Sequence, residues 1–167
     1  MKFPTSKIIS ESNLNTLVED VKNKIENGKV VFHYPEKFRR KIKLSTWETN
    51  YKEIVSLNKA LLVEIHNRAG VYAIYVKEPA GDIQLMYVGQ TNAGGARQRI
   101  KSHLVWRNKD TESGKSTGSK FDEVFGKVTS GFDIYISFCQ VEPASLRHYV
   151  EEKMFMLASD GWNIHGT

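Results

Sequence analysis

The stretch MYVGQTNAGGARQRIKSHL, residues 86–104, holds the densest group of side chains able to act on an anion. Arg99 and His103 stand four residues apart, about one helical turn, so a helix would project both from one face. No acid occurs between Asp82 and Asp110, whereas Arg97, Arg99, Lys101, Arg107 and Lys109 all fall there. A local positive patch of this kind attracts polyanions, with nucleic acid the usual partner. An arginine within it offers a planar fork of donors suited to a phosphate.

Two phosphate-binding motifs are excluded by their own geometry. SGKSTG contains the end of a P-loop, but the first glycine of G-x-x-x-x-G-K-[ST] would fall at Lys109, so the backbone amides cannot wrap a phosphate. GQTNAGGAR does not give G-x-G-x-x-G, and no parallel βαβ unit follows it, so no nucleotide cofactor is expected. The single cysteine, Cys139, allows no intramolecular disulfide and no cysteine-based zinc cluster, and its apolar run FDIYISFC predicts a core strand.

The elements that must position these residues follow from periodicity and punctuation. GVYAIYV and IQLMYVG read as two antiparallel strands joined by the Pro/Gly turn KEPAGD. A helix is predicted from near Ala96 to about Arg107, and the polar stretch Asn108–Lys120 reads as an exposed loop. The short helix KFDEVFGKV, a third strand FDIYISFCQV and a last helix after Pro143, carrying SLRHYVEEKMFMLAS, complete the second part. Before Gly70, Leu14, Leu17, Val18, Val21 and Ile25 mark one amphipathic helix. Ile54, Leu57, Leu61, Leu62 and Ile65 mark another, over about Thr46–His66. Between them KVVFHYPEKFRRKIKL reads as a hairpin or arm with a basic cluster, Lys37, Arg39, Arg40, Lys41 and Lys43.

The GVY at 70–72 and the YVG at 87–89 resemble the signature of the GIY-YIG nuclease superfamily, with Val71 and Val88 in place of isoleucines. RIKSH then supplies the arginine and the histidine four residues on, and EEKMFMLASDGWN matches the family's ending, with Glu151 and Asn163 twelve residues apart and Trp162 before the asparagine. The resemblance covers about residues 70–163. It departs from the family in the longer spacing from Gly89 to Arg99, which leaves Arg97 as an alternative, and in Asp160 where a proline is frequent; Glu152 is the rival of Glu151. The implied fold is α+β, a GIY-YIG-like core with a small three-stranded antiparallel sheet flanked by helices over 70–167. Residues 1–69 would be a mostly helical basic extension serving DNA recognition or dimerisation.

The resemblance implies metal-dependent hydrolysis of DNA. Glu151 would hold a divalent cation, magnesium or manganese, that keeps several waters. Arg99 would neutralise the scissile phosphate. Tyr72 would act as general base, for which it needs a phenolate favoured by nearby positive charge, with His103 the alternative base. Tyr87 would orient water or phosphate, and Asn163 would anchor a neighbouring group.

The remaining properties bound the partners. Of 24 Lys+Arg against 19 Asp+Glu, the whole net charge of +5 sits in residues 1–69. Double-stranded DNA is the expected partner, contacted by Arg97, Lys101, Arg107, Lys109, Lys37, Arg39, Arg40, Lys41 and Lys43. No run approaches the roughly 18 apolar residues of a membrane span, and a cytoplasmic location is expected. The small layout, with four residues after Asn163, is most similar to type II restriction endonucleases of this class; stand-alone defence or mobile-element nucleases and a catalytically silent nucleic-acid-binding module are the alternatives. A palindromic site would favour a homodimer on DNA.

Overall fold

The computed structural model describes residues 2–8, 13–107 and 119–155. The chain is α+β: β1 (Thr5–Lys7), α1 (Leu14–Asn27), β2 (Val30–Phe32), α2 (Leu44–Asn50), α3 (Lys52–Leu57), α4 (Lys59–Ile65), β3 (Gly70–Lys77), β4 (Ile83–Thr91), α5 (Ala96–Leu104), α6 (Phe121–Thr129), β5 (Asp133–Glu142) and α7 (Arg147–Phe155). Among the described residues the sheet is mixed and five-stranded. β3 is flanked antiparallel by β4 and β5, while the far edge of β5 is shared by β2, antiparallel at Ile134–Ile136, and β1, parallel at Gln140–Glu142. β4 is the opposite edge.

Alternation along β3 divides the core in two. Tyr72, Ile74 and Val76 face α2 to α6, and Val71, Ala73 and Tyr75 face α1 and α7. Such double burial explains why GVYAIYV is apolar at every position. The first cluster joins Phe3, Phe32, Tyr34, Phe38 and Trp47 to Tyr72, Ile74 and Phe138, so residues on both sides of position 70 share one core. The N-terminal segment is therefore built into the sheet by two strands as well as packed on it by helices.

The helix expected over about 46–66 is three short ones. Asn58 causes the last break: its Oδ1 accepts the His33 N–H (2.8 Å), and its Nδ2 donates to the carbonyls of His33 (2.7 Å) and Ile54 (2.9 Å). A side-chain amide that bonds the i−4 carbonyl and a residue beyond the helix competes with continued helix. The break re-phases the apolar face and leaves Leu57 51% exposed, whereas Ile54, Leu61, Leu62 and Ile65 are buried as expected.

Two glycines are required by close approach. A Cβ at Gly70 would lie 2.2 Å from the Cys139 carbonyl oxygen on β5. At Gly89 it would lie 2.5 Å from both Cζ and the hydroxyl of Tyr72, so Gly89 is the gap through which that phenol passes. No helix among the described residues is long and apolar enough to cross a membrane.

Candidate active site

Tyr72 and Tyr87 point to the same face of neighbouring strands and are fully buried, with ring centroids 6.0 Å apart. The α5 helix covers them. Its Ala96, Ile100 and Leu104 enter the core and His103 is buried with them, while Arg99 is half-buried at the rim. The helix is held at its C-terminal end by the N-terminal segment: the Tyr34 hydroxyl donates to the Leu104 carbonyl (2.6 Å) and the Trp47 indole to that of Val105 (2.7 Å). These bonds satisfy carbonyls that a helix end leaves without intrahelical partners.

The Tyr72 hydroxyl lies 2.8 Å from Nε2 of His103 and receives a longer contact, 3.4 Å, from Nε of Arg99. The other ring nitrogen, Nδ1, accepts the backbone N–H of Lys120 (3.0 Å). Burial, with the charges of Arg99 and Lys120, pushes His103 well below the usual histidine range, so the ring is neutral. A neutral ring whose Nδ1 accepts must carry its proton on Nε2 and donate it to the Tyr72 oxygen. His103 is thus a donor to the phenol and has no free lone pair with which to act as a base.

Burial raises Tyr72 well above the ordinary tyrosine value, the neighbouring phenol of Tyr87 adds to this, and Arg99 offsets only part of it. The phenolate expected from sequence is therefore not the resting form, because desolvation outweighs the nearby positive charge. Tyr87 is likewise raised, mainly by burial, with the nearby Arg99 and the Tyr72 hydroxyl acting against this; its buried hydroxyl makes no hydrogen bond of ordinary geometry with a described residue.

Glu151 reaches this cluster from the other face of the sheet. It is 7% exposed on α7, and the backbone N–H of Gln90, on edge strand β4, donates to its carboxylate. Burial first, then the charge of Glu152, raise it to about 7, against the lowering effects of Arg99 and the Gln90 N–H. The site therefore straddles the edge of the sheet at Gly89–Thr91. Glu152 is exposed, and Arg97 makes no contact with the tyrosines; its charge falls on Lys101. Arg99 and Glu151, rather than their rivals, are the members of the cluster. Asn163, Trp162, Asp160 and Lys109 lie outside the described residues.

A metal fits the donor set in one form only. Among the described residues no group of three or more His, Cys, Asp or Glu could hold an ion, and Glu151 is a lone buried carboxylate whose charge is only partly compensated. A hard divalent cation that keeps most of its waters suits such a ligand; a zinc cage does not.

The positive patch separates into two kinds of residue. Arg97, Arg99, Lys101 and Arg107 form no ion pair with a described residue. In the N-terminal cluster, by contrast, Lys37 pairs with Glu53, and Arg39 pairs with Asp133 (2.7 Å) and donates to the Gly131 carbonyl (3.1 Å). Those two are tied to the fold, and Arg40, Lys41 and Lys43 remain exposed.

Two further contributors, the Lys120 backbone amide that faces His103 and the Gln90 backbone amide beside Glu151, left no signal in the sequence because main-chain groups carry none. Comparison of the chain with models of protein families, with curated proteins and with solved structures finds no match.

Proposed function

We propose that the protein is a GIY-YIG nuclease, a metal-dependent endonuclease that hydrolyses phosphodiester bonds of double-stranded DNA in the manner of small type II restriction enzymes. The observation that carries this reading is the convergence of Tyr72, Tyr87, Arg99, His103 and Glu151, spread over 80 residues of sequence and four elements, on one end of the edge strand. The antiparallel β4-β3-β5 arrangement, with α5 and α7 beside it, supports the finer assignment of a GIY-YIG-like core.

Hydrolysis forms one P–O bond to a water oxygen and breaks one ester P–O bond; the water loses a proton and the leaving oxygen must be stabilised. Magnesium or manganese, held by Glu151, would supply charge stabilisation at the phosphate and leaving group when bound. The chain's own residues do the rest. Arg99, unpaired by any described acid, presents guanidinium donors to the phosphate as negative charge grows. Tyr72 would accept a proton from the attacking water only as the phenolate, its own proton having first passed to bulk water, and the Nε2–H of His103 and Nε–H of Arg99 both face the oxygen that would carry the charge. His103 acts through Tyr72 as its orienting donor. Tyr87, whose hydroxyl makes no hydrogen bond of ordinary geometry with a described residue, would hold the water or a phosphate oxygen.

One observation favours the catalytically silent alternative: burial keeps Tyr72 a neutral phenol. Cleavage of plasmid DNA in magnesium buffer separates the two. Arg99→Ala and Glu151→Ala are expected to lose at least about 10²-fold in rate. Undiminished cleavage by either variant refutes the assignment, and absence of cleavage by the wild type leaves the binding module. Mapping the cut ends distinguishes a restriction enzyme from a non-specific, mobile-element or defence nuclease, and a dimer on DNA is expected only for the first.

A further inference from the structure

Arg147 has no place in the chemistry above, yet it shares a cleft with Arg99. The cleft, about 280 Å³, is lined by Gln90, Thr91, Asn92, Gly95, Arg99 and Arg147. Among the described residues, two guanidiniums contribute to its wall and no carboxylate does. Its neutral members are already engaged with one another: Asn92 Oδ1 accepts the Gly95 N–H (2.8 Å) and the Thr91 hydroxyl donates to the Asn92 carbonyl (3.1 Å).

Arg147 is held from one side only. Its Nε donates to Gln90 Oε1 (2.7 Å) and its Nη1 to the Ala144 carbonyl (2.8 Å). It forms no ion pair with a described residue, and Nη2 has no partner among them. Two bonds to neutral acceptors fix the plane of the guanidinium, and no carboxylate among the described residues compensates its charge. A pre-oriented, half-buried cation of this kind recognises phosphate oxygens. Gln90 is the hinge of the arrangement, because its side chain holds Arg147 while its backbone N–H holds Glu151.

We infer that Arg147 is a phosphate-binding residue and that the cleft between it and Arg99 takes the nucleic-acid phosphate next to the one attacked. The inference rests on the nuclease reading for the position of the attacked phosphate, but the phosphate site itself is testable without turnover. It gives α7 two functions one turn apart: Arg147 fixes the register of the strand, and Glu151 serves the reacting phosphate.

Binding of a short fluorescein-labelled duplex of mixed sequence, measured by anisotropy over a salt series, tests this in the Glu151→Gln protein, with Arg147→Gln or Arg147→Lys added. Glutamine removes the charge and the guanidinium donors but keeps a polar end, whereas lysine keeps the charge; unfolding midpoints verify that each variant is folded. Arg147→Gln is expected to bind roughly tenfold more weakly and to lower the slope of log K against log salt by about 0.9, the value for one neutralised phosphate. Arg147→Lys is expected to keep the slope. A residue that merely braces Gln90 would leave the slope unchanged, and that result overturns the inference. If the slope falls but the wild type leaves plasmid DNA intact in magnesium, the phosphate site stands and the nuclease reading fails. No binding at low salt refutes both.

Discussion

Gly89→Ala perturbs the cluster with the smallest possible change. The added Cβ would sit 2.5 Å from Cζ and from the hydroxyl oxygen of Tyr72, and 2.9 Å from Cε2 of Tyr87. Carbon atoms pack at roughly 3.5–4.0 Å, so the phenol must retreat by about 1 Å. It has nowhere to go cheaply, because Tyr72 is fully buried and its oxygen is held by His103 at 2.8 Å. Overpacking of this kind costs about 1–3 kcal/mol, which lowers the unfolding midpoint of a chain of this size by about 2–12 °C. A displacement of about 1 Å at a reacting group costs on the order of 10²-fold in rate. The assay is plasmid cleavage alongside thermal unfolding, with Gly126→Ala as the contrast. Nothing lies within 4 Å of a Cβ at Gly126, an exposed helical position. That substitution should raise stability by about 0.4–1 kcal/mol and leave cleavage alone. Wild-type cleavage by Gly89→Ala would refute the reasoning that the Tyr72 oxygen must stay where His103 and Arg99 meet it.

Three further outcomes follow from charge. His103 is held neutral well below its ordinary value. Its contribution is therefore present above the unfolded histidine value, about 6.5, and is lost as pH falls below it. The stability advantage of wild type over His103→Gln, measured by denaturant unfolding, should shrink from pH 7 to pH 5; a constant difference contradicts the buried neutral ring. Glu151 behaves oppositely, since its folded value is raised from 4.5 to about 7. Metal-free wild type should lose stability relative to Glu151→Gln as pH rises through that window, by at most about 3 kcal/mol, and thermal midpoints in chelator that show no such divergence would show the carboxylate to be already compensated. Replacing Arg40, Lys41 and Lys43 together by alanine should lower the salt slope of DNA binding by about 0.9 for each phosphate that these side chains neutralise. Lys37→Ala and Arg39→Ala should instead lower the unfolding midpoint, and a slope change from Arg39→Ala would contradict its structural role.

Legibility from sequence followed the range of the interactions. The β3–β4 hairpin and α5 were readable because a Pro/Gly turn, two strand-like runs and a breaker-free helix are local signals, and the helical spacing of Arg99 and His103 put them on one side of α5 as expected. The break between α3 and α4 was not readable, because Asn58 interrupts the pattern through a bond to His33, 25 residues away. Nor was β1, three residues of mixed polarity whose parallel partner lies beyond position 139. The sequence brought Tyr72, Tyr87, Arg99 and His103 into one expected group, which the structure places together, whereas their protonation was not legible. Tyr72 and Tyr87 could be named from their tripeptides, but the burial that raises both, and the Lys120 N–H that selects the tautomer of His103, belong to tertiary structure. The basic cluster at 37–43 looked uniform in sequence; Glu53 and Asp133, brought in by the fold, divide it.

We propose that this edge-strand cluster cuts DNA with the help of a divalent cation. The most direct measurement is incubation of supercoiled plasmid with the purified wild-type protein, in magnesium and in chelator, followed by sequencing of the ends. Nicked or linear DNA in magnesium alone, with discrete ends, is the predicted result. Plasmid that stays supercoiled in magnesium, or that is cut equally well in chelator, would contradict it.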